Sequence, residues 1–388
     1  MRADVVVVGL GSMGAATAAE LTARGVRVVG VDRFTPPHDR GAHSGGSRII
    51  RMAYMEGPAY VPLVRHAYDQ WRDLERDTGT PLLTRTGGLM LGALDSFAVG
   101  GALATARAEN LPHELLDPGE VRRRFPAFTP AEHEVGLYEE IAGLVRPETA
   151  IRVLLRRAQR YGGELRFGVT VHGWQASTGG VTVSTSDGEL HADRLVLAPG
   201  AWAPELTRLP VPMRVERRVQ HYWGPADPSG YGPDRFPVWI WSYAEGLAAY
   251  GLAAVDGRVK AAMHFGGEVV DPSVGAEPAR PDEVEAMRRW FDGRMPGLAE
   301  AAWLGATPCL YTLTPDEHFV IGPHPDHARV AVACGFSGHG FKFVPVVGEI
   351  LADLVIAGST RYDIALFDPA RFASAAVRRD PAGRSPVP

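Results

Sequence analysis

Gly9, Gly11 and Gly14 follow the apolar run Val5–Val8, and Asp32 closes a second apolar run that begins at Val26. A strand that delivers the chain into a helix N-terminus presents unpaired N–H groups, and glycines there let a pyrophosphate approach those donors. Asp32 stands where a carboxylate can accept hydrogen bonds from ribose hydroxyls. The chemistry implied is holding a dinucleotide, FAD or NAD; the alternative for the glycines is a structural turn and a helix packing surface. A second glycine-rich turn, Gly335-Phe-Ser-Gly338-His339-Gly340-Phe-Lys342-Phe343, precedes an apolar helical stretch, Val344–Ala357. Its backbone N–H groups can face another negative or electron-accepting part of the same ligand.

Other chemistries are poorly supplied. The two cysteines, Cys309 and Cys334, form no CxxC pair, so neither a redox dithiol nor a compact zinc motif is expected. Thirteen histidines occur without a close ligand set, and no metal is expected. A net charge of −5 gives no basic field for nucleic acid. The apolar start lacks a basic n-region and a cleavage signal, and no other apolar run is long enough to span a bilayer. A cytoplasmic protein without a membrane partner is the expectation.

These residues need elements to position them. At 388 residues the chain exceeds one nucleotide-binding unit and is expected to divide in two. The fold class is read as α/β. A Rossmann-type dinucleotide-binding domain (1–84, 146–210, 320–375), the FAD-binding domain if the ligand is FAD, is interrupted by a discontinuous α+β substrate domain (85–145, 211–319) with an antiparallel or mixed sheet, and 376–388 is a loose tail. Leu63, Ala67, Trp71 and Leu74 recur at helical spacing and predict core contacts. Strands are expected at Trp239–Tyr243, Val259–His264 and Arg329–Cys334, and helices at Arg146–Arg160 and Val284–Phe291. Trp202, after the Pro199-Gly200 turn, is expected to pack in the core.

The ordered motifs Gly9–Gly14, Pro36-Pro-His38, Gly41-Ala-His43, Arg48-Ile-Ile-Arg51, Cys309-Leu-Tyr311-Thr, Asp316-Glu-His-Phe319 and Gly335–Phe343 resemble the monomeric sarcosine oxidase and N-methyltryptophan oxidase family over roughly residues 3–370. The resemblance implies an FAD amine oxidase with a D-amino-acid-oxidase-like fold, acting on a small amine or amino acid with oxygen and expected as a monomer. It implies transfer of a hydride equivalent to the flavin, release of an imine that water hydrolyses, and hydrogen peroxide as coproduct. A flavin dehydrogenase using another acceptor and a noncatalytic flavin-binding protein are the alternatives.

Residue by residue, the resemblance makes Cys309 the covalent FAD attachment site, whereas its chemistry alone suits a buried small hydrophobe. Cys334 is expected to be buried and structural. Arg51 and Lys342 match positions that clamp a substrate carboxylate, a task suited to a guanidinium fork and an ammonium; the alternative is ordinary salt bridging. Lys260 matches the lysine that promotes reaction of reduced flavin with oxygen. Arg48, His264 and Tyr311 complete the expected catalytic set. Cofactor contacts are expected from Gly9, Gly11, Ser12, Met13, Gly14, Asp32 and Arg33 at the first unit. Ser44, Arg48, Val171 and Gly200 are expected to add to these, with Cys309, Gly338, Gly340 and Lys342 from the carboxyl-terminal half. Two departures bear on the substrate. Ser44 stands at a family histidine, and Ala249, next to Tyr250, is aligned with an active-site tyrosine. Ala249 and Tyr250 are therefore expected at the substrate, in a pocket enlarged by the missing ring.

Overall fold

β-Branched residues fill the first strand, β1 (Ala3–Val8), which ends at Gly9; the chain turns into helix α1 (Ser12–Ala23) and returns as β2 (Val28–Asp32). The computed structural model describes residues 3–275 and 277–372, so the tail expected at 376–388 lies outside the described residues. β1 and β2 pair in parallel with Val5 opposite Val28, and α1 is the crossover that parallel pairing requires. On its other side β1 pairs in parallel with Gly188–Leu197, which pairs with His327–Cys334; β2 pairs with Glu164–Phe167. Alanines 15, 16, 18 and 19 leave α1 buried nearly all round, as befits a helix wedged between Pro147–Arg160 and Val344–Ala357.

The chain then builds β3 (Arg48–Ile50) and helix α2 (Val61–Thr78). Leu63, Ala67, Trp71 and Leu74 are buried on one face of α2, as their spacing predicts, and Gly79 ends the helix in the left-handed conformation at φ 63°. β3 pairs with Gly143–Val145, which also pairs with Leu83–Arg85. This small sheet carries Arg48 and ends just before Arg51.

A large mixed sheet runs in the order Glu268–Val269, Arg214–Gly224, Arg258–Met263, Leu247–Val255, Val238–Ala244, Gly88–Gly92, Val135–Glu139 and Glu114–Leu116, with Ala302–Leu313 beside Arg214–Gly224. Only its Val238–Ala244 and Gly88–Gly92 neighbours are parallel among the described pairs. One face, bearing Trp223, Trp239, Trp241, Val259 and Ala261, packs under the helix Pro281–Phe291 through Met287, Trp290 and Phe291. Strand alternation puts Ile240, Tyr250 and Lys260 on the other face. The architecture is thus α/β, a Rossmann-type unit joined to a discontinuous second sheet. Among the described residues no helix is long and apolar enough to cross a membrane.

Candidate active site

A cavity of about 460 Å³ opens where β1, β2 and the Gly335–Phe341 turn meet. Gly9, Gly11, Ser12, Met13, Asp32, Arg33, Arg48, Val171, Gly200, Gly338 and Gly340 line it, together with Tyr311. Gly14, Ser44, Cys309 and Lys342, also expected to touch the cofactor, are not on this wall. Gly14 shapes it indirectly, because a Cβ there would lie 1.7 Å from the Gly9 carbonyl oxygen. Ser44 contributes a carbonyl that accepts from Arg48 Nη2 at 2.6 Å and from Gln220 Nε2 at 3.2 Å, a support for its neighbours.

These residues fit FAD. No side chain caps α1, so its first N–H groups point at the cavity unpaired by any cap. Asp32 accepts from Leu10 N at 2.7 Å and from Phe34 N at 2.8 Å, which aims the carboxylate and leaves lone pairs for hydroxyl donors. Trp202 departs from its expected core role. It is half-buried on the cavity wall beside Phe34 and Arg33; its buried Nε1–H has no protein partner, a state it shares with the core residues Trp223, Trp239 and Trp290. At the other wall Gly338 adopts φ 83°, and a Cβ there would enter the Tyr311 ring at 2.1 Å. His38 and His43, whose motifs carried part of the resemblance, also line the cavity. His43 Nε2 accepts from His38 N at 3.2 Å, and burial, with help from His38 and Arg48, holds its pKa down to about 3.

Behind this cavity Arg48, Lys260 and Cys309 come together. Arg48 donates from Nη1 to the Ser47 carbonyl at 2.8 Å and to Gln220 Oε1 at 3.0 Å, and its Nη2 lies 3.9 Å from Cys309 Sγ. Burial pushes the Cys309 thiol pKa up, against the pull of Arg48 and Lys260. Lys260, 2% exposed, donates to the Gly45 carbonyl at 3.2 Å and to the Ser47 carbonyl; burial, then Arg48, drive its pKa well below the usual lysine range. Glu148 holds the same loop by accepting from Gly45 N at 2.7 Å and Gly46 N at 3.0 Å. Cys334 is buried and its pKa is pushed up to about 12 by burial, although it too reaches the cavity wall.

A second cluster gathers around Arg51, which is 1% exposed. Its guanidinium donates to Glu56 Oε2 at 2.9 Å and to the Ala53 carbonyl at 2.7 Å, and stands 4.5 Å from the Tyr54 ring centroid. Burial pushes the Glu56 carboxyl upward, but Arg51, His339 and Lys342 outweigh it and hold the pKa at about 2. Lys342 Nζ lies 4.9 Å from the same ring and donates to the His339 carbonyl at 2.7 Å. Burial and Arg51 bring the Lys342 pKa down to about 7, with Glu56 opposing. Glu56, largely buried, thus pairs with Arg51 directly and acts on Lys342 electrostatically. Sequence reasoning named neither Glu56 nor Tyr54, although an acid five residues after Arg51 was a readable signal.

The strand Leu247–Val255 separates two positions that the sequence reading placed together at the substrate. Ala249 lies on the tryptophan face with Trp239, Trp241 and Trp290, opposite Trp241 and Met263 in register. Tyr250 is the residue on the site face, perpendicular to the His264 ring at 5.9 Å and hydrogen-bonded through its side chain to Tyr311. The expected substrate contact of Ala249 and the enlarged pocket are therefore corrected: a strand inverts side-chain direction at each residue, and of the two only Tyr250 lies on the face that carries Lys260. His264 is half-buried against Phe265, with its pKa held down to about 3 by burial. Among the described residues no cluster of three or more metal-ligating side chains occurs.

The chain matches the family model described as FAD dependent oxidoreductase over residues 4–354. It is 47% identical over 378 residues to the monomeric sarcosine oxidase of Streptomyces avermitilis, covering 96% of this chain and 98% of that one. It is 34% identical over 379 residues to the N-methyl-L-tryptophan oxidase of Salmonella arizonae, covering 96% and 100%. Among solved structures it resembles NikD, an unusual amino acid oxidase essential for nikkomycin biosynthesis, with a TM-score of 0.83 at 26% identity over 95% of this chain and 97% of that one. A cavity walled by α1, Asp32 and a glycine turn, matched from end to end by such relatives, makes the chain a member of the FAD-dependent oxidoreductase family.

Proposed function

We propose that this enzyme oxidises a secondary N-methyl or cyclic amino acid, using FAD and passing the electrons to oxygen. One observation carries the reading. The turn that gives Gly338 and Gly340 to the dinucleotide cavity gives Lys342, two residues on, to the buried cation pair with Arg51. An amino acid held by its carboxylate there has its amine end directed along the same turn toward the cofactor.

When bound, FAD supplies the two-electron acceptor for the C–H bond beside the amine. The N–H groups of Ser12 and Met13 would face its pyrophosphate and Asp32 its ribose. Cys309 would hold it covalently through sulfur, with Arg48 stabilising the thiolate that such chemistry needs. A substrate carboxylate competes with Glu56 for Arg51, and Lys342 supplies the second cationic contact. Tyr250, Tyr311 and His264 wall the amine end. Lys260, in its protonated form, would meet the negative charge that oxygen gains on reduction. The amine loses two electrons and two protons to become an imine, oxygen becomes hydrogen peroxide, and water hydrolyses the released imine. The Rossmann-type sheet serves the cofactor and the mixed sheet the substrate, as the domain division 1–84, 146–210 and 320–375 against 85–145 and 211–319 has it.

The test follows flavin absorbance near ~450 nm during anaerobic addition of sarcosine, N-methyl aromatic amino acids, proline and pipecolate, with air admitted at the end. Bleaching by one of these and rapid recovery in air is expected. Bleaching with recovery only on adding another acceptor makes the enzyme a dehydrogenase, and a flavin that none of them reduces removes this substrate class. Acid precipitation of Cys309→Ala protein should leave the flavin in solution; flavin retained in the pellet refutes the covalent link.

A further inference from the structure

Tyr54 belongs to no motif in the sequence, and the Asp316-Glu-His-Phe319 segment has no task in the function proposed above. Both lead to Lys342. His339 Nε2 lies 3.0 Å from the Glu317 carbonyl oxygen. A carbonyl only accepts, so Nε2 carries the ring proton and Nδ1 of the neutral imidazole is an acceptor. The ring is kept neutral by burial, which brings its pKa down to about 4 against the pull of Glu56. Tyr54 O–H stands 2.5 Å from that Nδ1, much closer than the 3.3 Å to the His339 carbonyl, and therefore donates to the ring. With its one proton committed, the hydroxyl can offer Lys342 Nζ, 3.4 Å away, only a lone pair.

The surrounding residues keep this direction fixed. Phe319 packs on the His339 ring at 4.6 Å, and Tyr60 lies 4.6 Å from the Tyr54 ring while its own hydroxyl meets His318 Nδ1 at 2.9 Å. Asp316 accepts from Arg371 Nε at 2.9 Å, and Arg371 Nη2 also donates to the His318 carbonyl at 3.1 Å. Trp71 Nε1 donates to the Lys342 carbonyl at 2.9 Å. The unassigned segment is thus a rigid seat for one imidazole.

We propose that the Glu317 carbonyl, His339 and Tyr54 form a directional hydrogen-bond relay that positions the Lys342 ammonium for the substrate's carboxylate, with Tyr54 and His339 as positioning residues. The inference rests on the reading of Lys342 as a carboxylate contact. Two of the three ammonium N–H donors are engaged, by the His339 carbonyl and the Tyr54 hydroxyl, and the third is the one offered to the ligand. A hydroxyl turned the other way would present its proton to the ammonium and push it off this position.

The experiment titrates holoenzyme with furan-2-carboxylate and with furan-2-carboxamide, an uncharged isostere, reading the flavin spectrum. Tyr54→Phe keeps the ring beneath both cations and removes only the hydroxyl. It should weaken the acid roughly 3–10-fold, the net worth of one ordinary hydrogen bond, leave the amide unchanged, and have no further effect in a Lys342→Met background. Equal weakening of acid and amide, or an undiminished effect of Tyr54→Phe beside Lys342→Met, overturns the relay. An acid affinity indifferent to Lys342→Met overturns the carboxylate reading itself and the relay with it. Where Tyr54→Phe does not fold, His339→Gln, which can still donate to Glu317 and accept from Tyr54, should bind the acid nearly as the parent does, while His339→Leu should show the Tyr54→Phe loss. Equal acid binding by these two variants refutes the relay.

Discussion

The dinucleotide cavity and the Arg51–Lys342 cluster lie on two sides of one glycine turn and are built by opposite means. Backbone makes the first: helix N–H groups, the Leu10 and Phe34 amides that aim Asp32, and glycines whose missing side chains are the space. Side chains make the second, with two buried cations and one largely buried carboxylate gathered around a tyrosine ring. Backbone dipoles are fixed by the fold and cost nothing to recharge, so the first site suits a resident ligand. Buried charges depend on one another, so the second suits a ligand that comes and goes by exchanging for an internal anion.

The comparison is broken most severely at Arg51. Arg51→Gln takes from the largely buried Glu56 the guanidinium that pairs with it directly, so about 3 kcal/mol of stability should be lost, together with a fall in kcat/KM for carboxylate substrates of roughly 100-fold or more. Thermal unfolding and steady-state kinetics measure the two; unchanged kinetics would remove Arg51 from substrate binding. Next is Lys260→Met, expected to slow reoxidation of reduced enzyme by air about 100-fold while anaerobic bleaching keeps its rate. Reoxidation at the parental rate would show that the charge has no part in the oxygen step.

A smaller effect sharpens the contrast through pH. Lys342, with its pKa brought to about 7, is charged below that pH and loses its charge above it, whereas Arg51 stays charged and Glu56, at about 2, stays ionised. Affinity for a carboxylate ligand without an amine should therefore fall as pH rises through about 7, by at most about tenfold per unit, and Lys342→Met should flatten that profile. The smallest functional effect belongs to Ala249. Ala249→Leu should overpack the tryptophan layer and cost about 1–3 kcal/mol with substrate preference unchanged, whereas Tyr250→Phe should alter KM or kcat with little loss of stability. A shifted substrate preference from Ala249→Leu would return that residue to the pocket.

Much of the first site was legible because it is local. A strand, three glycines, a helix and an acid lie within residues 5–32, and each element forms for reasons carried in its own residues. The second site was legible only in its ends. Arg51 and Lys342 stood out through the resemblance, but Tyr54 and His339 are 285 residues apart, and no spacing announces a contact made by tertiary packing. Ala249 and Tyr250 show how narrow the margin is: the resemblance named both, the strand Leu247–Val255 that carries them was not expected, and its alternation decides which side chain faces the chemistry. Trp202 was misjudged because a tryptophan after a tight turn looks the same in the sequence whether it lines a core or a cavity; only its place on the cavity wall separates the two.

Arg371 sits at the far end of the described chain, yet its ion pair with Asp316 braces the loop whose next residue, Glu317, fixes the His339 tautomer. Clipping the polypeptide ahead of Arg371 would remove no residue of either site and still slacken that brace. Proteolytic trimming of the carboxyl end should therefore register as weaker ligand retention before any loss of helix or sheet, making the terminus a remote determinant of affinity.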